Sequence, residues 1–333
     1  MTRSIAIIGA GSWGTALAIV LAPRFERVRL WAYETDLVMR MVSTRVNDAF
    51  LAGFSLPANV EPTSDLASAL DGAAIVLGVM PSRFARRLYN AMLPHLNSEM
   101  RFVSATKGLE SGTLLRTSEV AREVIANKFQ PRIAVLSGPT FAKEVARGEP
   151  TALVISSEDE ALAASIQREF SGPTFRLYTN KDPAGVEIGA ALKNTIAIGA
   201  GICQGLGLGN NSIAALITRG LAEITRLAVA MGGQPGTLSG LAGLGDLVLT
   251  CTGELSRNRS VGIQLAKGRK LVEIVSAMTM IAEGVETTAA AIDLARKFSV
   301  DMPITEQMNT ILSGGKSPQD AIRELMDRTL KNE

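Results

Sequence analysis

The stretch Ile5-Ala6-Ile7-Ile8-Gly9-Ala10-Gly11-Ser12-Trp13-Gly14 decides the fold. Four apolar residues run straight into a glycine turn, and residues 15–21 continue with helical character. This reads as strand, tight turn and helix. The glycines have G-x-G-x-x-G spacing: Gly9 permits the turn, Gly11 lets the backbone approach a pyrophosphate, and Gly14 lets helix pack close to sheet. The anion then rests on the N–H groups that open the helix.

Working outward, short apolar runs alternate with amphipathic ones through the first half. Residues 28–32, 73–79, 101–105, 133–136 and 151–155 read as further strands. Strands apolar nearly throughout, with helical patterns between them, predict a parallel sheet covered on both faces. Small and turn-forming residues follow the strands, at Gly9-Ala10-Gly11, Met80-Pro81-Ser82, Lys107-Gly108 and Ser137-Gly138-Pro139. Such loops lie beyond the strands' carboxyl ends, where open α/β sheets bind ligands.

Past Asp182-Pro183 the strand runs stop. Ile213, Leu216/Ile217, Leu221, Ile224, Leu227 and Met231 recur at helical steps, a stripe that predicts one long helix capped by Asn210 or Asn211 and ended by Gly232-Gly233. Helices are also expected over 184–203, 258–267, 284–298, 303–313 and 318–330. The fold class is α/β: a Rossmann-type dinucleotide-binding domain over 1–182, then an all-helical substrate-binding and catalytic domain over 183–333.

Composition agrees. At about 150 residues per domain, 333 residues make two domains. Lys and Arg number 34 against 32 Asp and Glu, a formal charge of +2 that advertises no nucleic-acid groove. Cys203 and Cys251 make no disulfide framework, and the single histidine, His95, excludes any histidine cluster. Neither a C-x-x-C pair nor a His-rich spacing occurs, so no metal is expected, and the nucleophile elbow G-x-S-x-G is absent. Residues 1–4 lead directly into the first strand without the apolar segment of a secretory signal. The uncharged stretch 194–218 carries Gln204, Asn210 and Asn211 and reads as a buried helix, not a membrane span. A soluble cytoplasmic chain is expected.

Several residues are candidates for chemistry. Glu34 ends the second strand region 25 residues after Gly9, where an acid accepts from a ribose 2′-hydroxyl in NAD binders, or is simply a solvated loop charge. Lys193-Asn194 lies in an apolar, small-residue helix, where a buried ammonium is costly and a neutral amine serves as a base. Lys107 follows a strand, where it holds a substrate oxygen or is simply a loop charge. Asp246, approached through Gly240-Leu-Ala-Gly-Leu-Gly245 and followed by Thr250, is a partner for a buried lysine, a substrate ligand or a helix cap. Ser256-Arg257-Asn258 gathers phosphate donors at a helix start, or is a solvated face. Together they fit a nicotinamide oxidoreductase acting on a small phosphorylated alcohol.

At this point the chain resembles the bacterial NAD(P)-dependent glycerol-3-phosphate dehydrogenases from end to end. The matching segments include Gly9-Ala-Gly-Ser-Trp-Gly-Thr-Ala-Leu-Ala18, Ala105-Thr-Lys-Gly-Leu-Glu110, Ser137-Gly-Pro-Thr-Phe-Ala-Lys-Glu144, Ala191-Leu-Lys-Asn-Thr-Ile-Ala-Ile-Gly-Ala-Gly201, Gly243-Leu-Gly-Asp-Leu-Val-Leu-Thr-Cys-Thr252 and Ser256-Arg-Asn258. The resemblance implies that Lys193 accepts the proton when glycerol 3-phosphate is oxidised. It implies that Lys107, Gly138, Thr140, Asp246, Ser256, Arg257 and Asn258 line the substrate site, with Asn194 and Thr250 beside them. It assigns Ser12, Trp13, Tyr33, Lys107, Ala142, Arg257, Ile281 and Glu283 to NAD or NADP. The family direction, reduction of dihydroxyacetone phosphate, feeds glycerophospholipid synthesis.

Two positions depart from the family pattern: Met80 replaces valine before Pro81-Ser82, and Tyr33-Glu34 stands where a basic residue or histidine is common. The second puts a strong NADP preference in doubt. The expected partner is the small phosphorylated substrate, with a homodimer left open and neither nucleic acid nor membrane insertion expected. The alternative is a two-domain β-hydroxyacid-type dehydrogenase, which needs a carboxylate-binding set where Arg257 and Asn258 stand.

Overall fold

The computed structural model describes residues 4–278 and 282–329. They form two compact units, Met1–Glu187 and Ile188–Glu333. The division falls five residues beyond the break expected after 182, inside the continuous helix Pro183–Gly205.

Among the described residues the first unit is built on eight strands: β1 (Ser4–Ile8), β2 (Arg27–Trp31), β3 (Val60–Thr63), β4 (Ile75–Gly78), β5 (Arg101–Ser104), β6 (Arg132–Ser137), β7 (Thr151–Ser156) and β8 (Phe175–Asn180). Their order is β3-β2-β1-β4-β5-β6-β7-β8. The order reverses between β1 and β4, so the glycine loop leaves β1 at the topological switch point. The apolar run of β1 reflects burial on both faces. Ile5 and Ile7 pack with Leu17, Leu21, Val28 and Leu30, while Ala6 and Ile8 face Leu70, Val76 and Tyr89.

The sheet is not wholly parallel, because β6 and β7 pair antiparallel (Val135 opposite Ser156). Burial of both faces makes a strand apolar whichever way it runs, so composition gives no direction. Strands β3 and β8 were not expected. Each is an edge strand with one neighbour: β3 is Val-Glu-Pro-Thr, and β8 alternates buried Phe175 and Leu177 with exposed Arg176 and Tyr178. Neither has the continuous apolar signature of an interior strand, and Pro62 is tolerated where one side needs no ladder partner.

The second unit is helical. Its principal helices are Asn210–Ala230, Arg257–Ala266, Glu283–Phe298, Pro303–Leu312 and Pro318–Met326, with shorter ones at Pro235–Leu238, Asp246–Thr252 and Leu271–Ser276. One core cluster joins Ile198, Ile202, Val261, Ile274, Met308 and Ile311. The expected asparagine cap on Asn210–Ala230 is not formed. Gly209 holds the extended position ahead of the first turn without a side-chain cap, so both asparagines already lie within the helix. The expected stop is present: Gly232 has φ +88° and Gly233 N–H donates to the Ala228 carbonyl at 2.7 Å. Helix Pro183–Gly205 is long and apolar enough to cross a membrane, but its apolar window is entirely buried in protein.

Candidate active site

In the first unit, the loops after β1, β4, β5 and β6 leave the carboxyl ends of mutually parallel strands. Helix Ser12–Leu21 begins immediately after Gly11. A Cβ on Gly14 would lie 1.8 Å from the Gly9 carbonyl oxygen, so only glycine allows this approach of helix to loop. At Gly11 a Cβ would meet nothing within 4 Å. That open space beside a half-buried helix start is what a pyrophosphate requires, and the loop fits a dinucleotide. The Trp13 Nε1 is buried with no hydrogen-bond partner among the described residues. Tyr33 is 70% exposed, and Glu34 takes the N-cap position of helix Thr35–Thr44 without a side-chain cap bond.

Lys107, on the loop after β5, donates from Nζ to the Gly138 carbonyl at 3.1 Å and to Thr140 Oγ1 at 3.3 Å. Thr140 Oγ1 donates in turn to the same carbonyl at 3.2 Å. The structure thus gathers three predicted substrate residues from two loops. Ala142 opens the short helix Ala142–Ala146 that follows. His95 is exposed in the turn Leu93–His95 and joins none of this.

In the second unit, Lys193 is 5% exposed and Asp246 is fully buried, and Lys193 Nζ donates to Asp246 Oδ1. The π-helical turn Leu241–Gly245 delivers the aspartate. A Cβ on Gly243 would lie 2.1 Å from the Leu238 carbonyl oxygen, so the turn packs this tightly only with glycine. Asp246 is therefore not a helix cap: Gly245 holds the cap position, and the carboxylate turns inward to the lysine. Thr250, one turn on, donates from Oγ1 to the Asp246 carbonyl at 2.6 Å. Burial pushes the neighbouring Cys251 thiol up to about 12, which keeps it protonated and chemically idle at neutral pH.

Ser256 caps helix Arg257–Ala266, its Oγ accepting from Arg259 N–H at 3.3 Å. Arg257 is exposed in the first turn and Asn258 is buried. Asn258 Oδ1 accepts from Gly284 N–H at 3.0 Å, which ties it to the start of the helix opened by Glu283. A Cβ on Gly284 would also lie 2.8 Å from the Asn194 carbonyl oxygen, so Asn194, Asn258 and Gly284 are close neighbours. Ile281 lies outside the described residues.

Asn47 and Glu223 are among the buried polar groups that sequence reasoning passed over. Asn47 is fully buried and donates from Nδ2 to the Ala10 carbonyl and to Thr15 Oγ1, both at 2.8 Å. Glu223 accepts from Ile304 N–H at 2.6 Å and from Thr305 N–H at 3.1 Å, fastening the start of helix Pro303–Leu312. Asn47 sits in an ordinary polar loop and leaves no pattern. Glu223, an acid on the buried side of an otherwise apolar stripe, offered a signal.

The family model described as NAD-dependent glycerol-3-phosphate dehydrogenase N-terminus matches residues 4–163, and the corresponding C-terminus model matches 182–323. A protein of Koribacter versatilis named glycerol-3-phosphate dehydrogenase (NAD(P)+) is 63% identical over 326 residues, 97% of each chain. The crystal structure of glycerol-3-phosphate dehydrogenase from Coxiella burnetii superposes with a TM-score of 0.94 at 42% identity, covering 98% of this chain and 99% of that one. A ketopantoate reductase family protein from Ralstonia eutropha, at 18% identity and a TM-score of 0.61, shares the fold alone. The chain belongs to the family of NAD-dependent glycerol-3-phosphate dehydrogenases.

Proposed function

We infer that the protein catalyses reversible reduction of dihydroxyacetone phosphate to sn-glycerol 3-phosphate at the expense of NAD(P)H. The observation that carries this reading is the buried Lys193–Asp246 pair, in a chain that also holds an open glycine loop for a dinucleotide. The nicotinamide supplies or accepts the hydride when the cofactor is bound. Lys193 gives a proton to the carbonyl oxygen during reduction and takes it from the hydroxyl during oxidation. Asp246 holds the Lys193 amine in place and balances its charge when protonated.

The Gly9–Gly14 loop, with Ser12 and Trp13, receives the pyrophosphate. Tyr33, Glu34, Lys107, Ala142, Arg257 and Glu283 complete the cofactor set proposed here, and Ile281 is carried over from the resemblance. Lys107, hydrogen-bonded between Gly138 and Thr140, binds substrate oxygen. Ser256, Arg257 and Asn258 receive the phosphate at a helix start, where N–H groups and the guanidinium fork both favour an anion. Asn194 and Thr250 support the residues beside them. Glu34 disfavours a 2′-phosphate by charge, so NADH is used beside NADPH. The product feeds glycerophospholipid synthesis in the cytoplasm, and the working form is a monomer or a homodimer.

Steady-state oxidation of each reduced cofactor tests the reading. Purified protein is expected to consume NADH or NADPH only when dihydroxyacetone phosphate is added, and to ignore unphosphorylated dihydroxyacetone. Equal rates with the unphosphorylated ketone, or no turnover with the phosphate, overturn it.

A further inference from the structure

We propose that Asn47 is a positioning residue for the dinucleotide: by clamping the Ala10 carbonyl it aims the Gly11 N–H at the pyrophosphate. The inference rests on the reading of the glycine loop as the nucleotide site. Asn47 and Thr15 are both fully buried. The two hydrogens of Asn47 Nδ2 go to the Ala10 carbonyl and to Thr15 Oγ1, each at 2.8 Å, and Asn47 Oδ1 accepts from Phe50 N–H at 3.0 Å. The side-chain amide is therefore saturated on three sides and has one orientation. Thr15 Oγ1 in turn donates to the same Ala10 carbonyl at 3.4 Å, so that oxygen receives two inward donors.

The consequence follows from peptide geometry. The carbonyl of Ala10 and the N–H of Gly11 belong to one planar unit and point in opposite directions. Drawing the carbonyl into the protein turns the Gly11 N–H the other way. Gly11 is the loop residue whose missing Cβ leaves open space on the outer side. Without the clamp, this peptide is free to rotate, since each glycine beside Ala10 permits backbone angles that other residues resist. Asn47 comes from a loop beyond helix Thr35–Thr44, so the brace is supplied from outside the strand-turn-helix that carries the motif. The donors of a pyrophosphate site are thereby fixed before the ligand arrives, which lowers the entropy lost on binding.

The isosteric variant Asn47→Asp tests this, because it puts an acceptor against the Ala10 carbonyl in an unchanged volume. Binding of NADH and of ADP-ribose to the full chain is titrated, together with KM for NADH and for dihydroxyacetone phosphate. The expected result is a loss of about tenfold or more in affinity for both nucleotides, with KM for the ketone phosphate within about twofold of the parent. Nucleotide affinity unchanged in the folded variant overturns the proposal. So does an equal rise in both KM values, which marks a general packing role. If Asn47→Asp does not fold, Asn47→Ala removes the donor to the Ala10 carbonyl without burying a charge, and unchanged NADH affinity in that variant overturns the proposal as well. A parent protein that binds no NADH removes the nucleotide reading itself, whereas a parent that binds and a variant that binds equally removes only the role of Asn47.

Discussion

Lys193 and Asp246, 53 positions apart in the chain, meet through an Nζ–Oδ1 hydrogen bond inside the helical unit. Both sit where water does not reach freely, so neither charge is tolerable without the other. The same pairing that makes the lysine structurally acceptable also places the only buried ammonium of the candidate substrate residues at one defined point.

The pair's energetics give a first prediction. Lys193→Met leaves the Asp246 carboxylate buried without its lysine partner, so stability falls by roughly 3–5 kcal/mol. Adding Asp246→Leu removes that charge and recovers most of the loss. Urea unfolding of the single and double variants checks this; a double variant as unstable as the single one means the penalty is not electrostatic.

The glycine loop separates folding from binding. Gly14→Ala forces a methyl onto the Gly9 carbonyl and lowers the melting temperature, whereas Gly11→Ala meets no protein atom. Gly11→Ala is expected to melt like the parent yet bind NADH about tenfold or more weakly, because the methyl takes the phosphate's place. Melting curves and NADH titration decide it, and a Gly11→Ala protein with normal NADH affinity moves the pyrophosphate elsewhere.

Arg257→Lys keeps the charge at the start of its helix but loses the planar fork. KM for dihydroxyacetone phosphate should rise about tenfold or more. Titration with NADH reads the second contact proposed for this residue. Unchanged constants for both ligands take Arg257 out of the site.

Glu223 predicts a pH dependence. Burial raises its carboxyl from an ordinary 4.5 to about 7, outweighing the hydrogen bonds from Ile304 and Thr305 that favour the charged form. A folded value above the unfolded one means the native state holds the proton more tightly. The contribution is therefore fully present below about pH 4.5 and fades as pH rises through about 7. In Glu223→Gln this fall should vanish from urea midpoints measured across that window. The same slope in both proteins means that other groups cause it.

Local signals made the centre of the fold legible. β1, its turn and the following helix are contiguous, and each glycine has a steric reason written in the motif. The edge strands β3 and β8 were hidden because one-sided pairing and partial exposure erase the apolar run that marks an interior strand. The direction of β7 was hidden because side-chain burial is blind to strand polarity. In the candidate site, Lys193 stood out as a charge within an apolar helix, but its pairing with Asp246 depends on a π-turn and two helices that no local spacing encodes. Asn47 reaches the glycine loop from 37 residues away, and nothing in its own segment announces that contact.

Turnover by the Lys193→Met variant tests the proton-transfer assignment most directly, measured beside NADH binding in the same preparation. The account predicts a fall in turnover of roughly 10²–10⁴-fold with NADH affinity within about twofold of the parent. Near-normal turnover in a folded variant that still binds NADH would contradict it and transfer the proton to Lys107 or to a water held by Asp246.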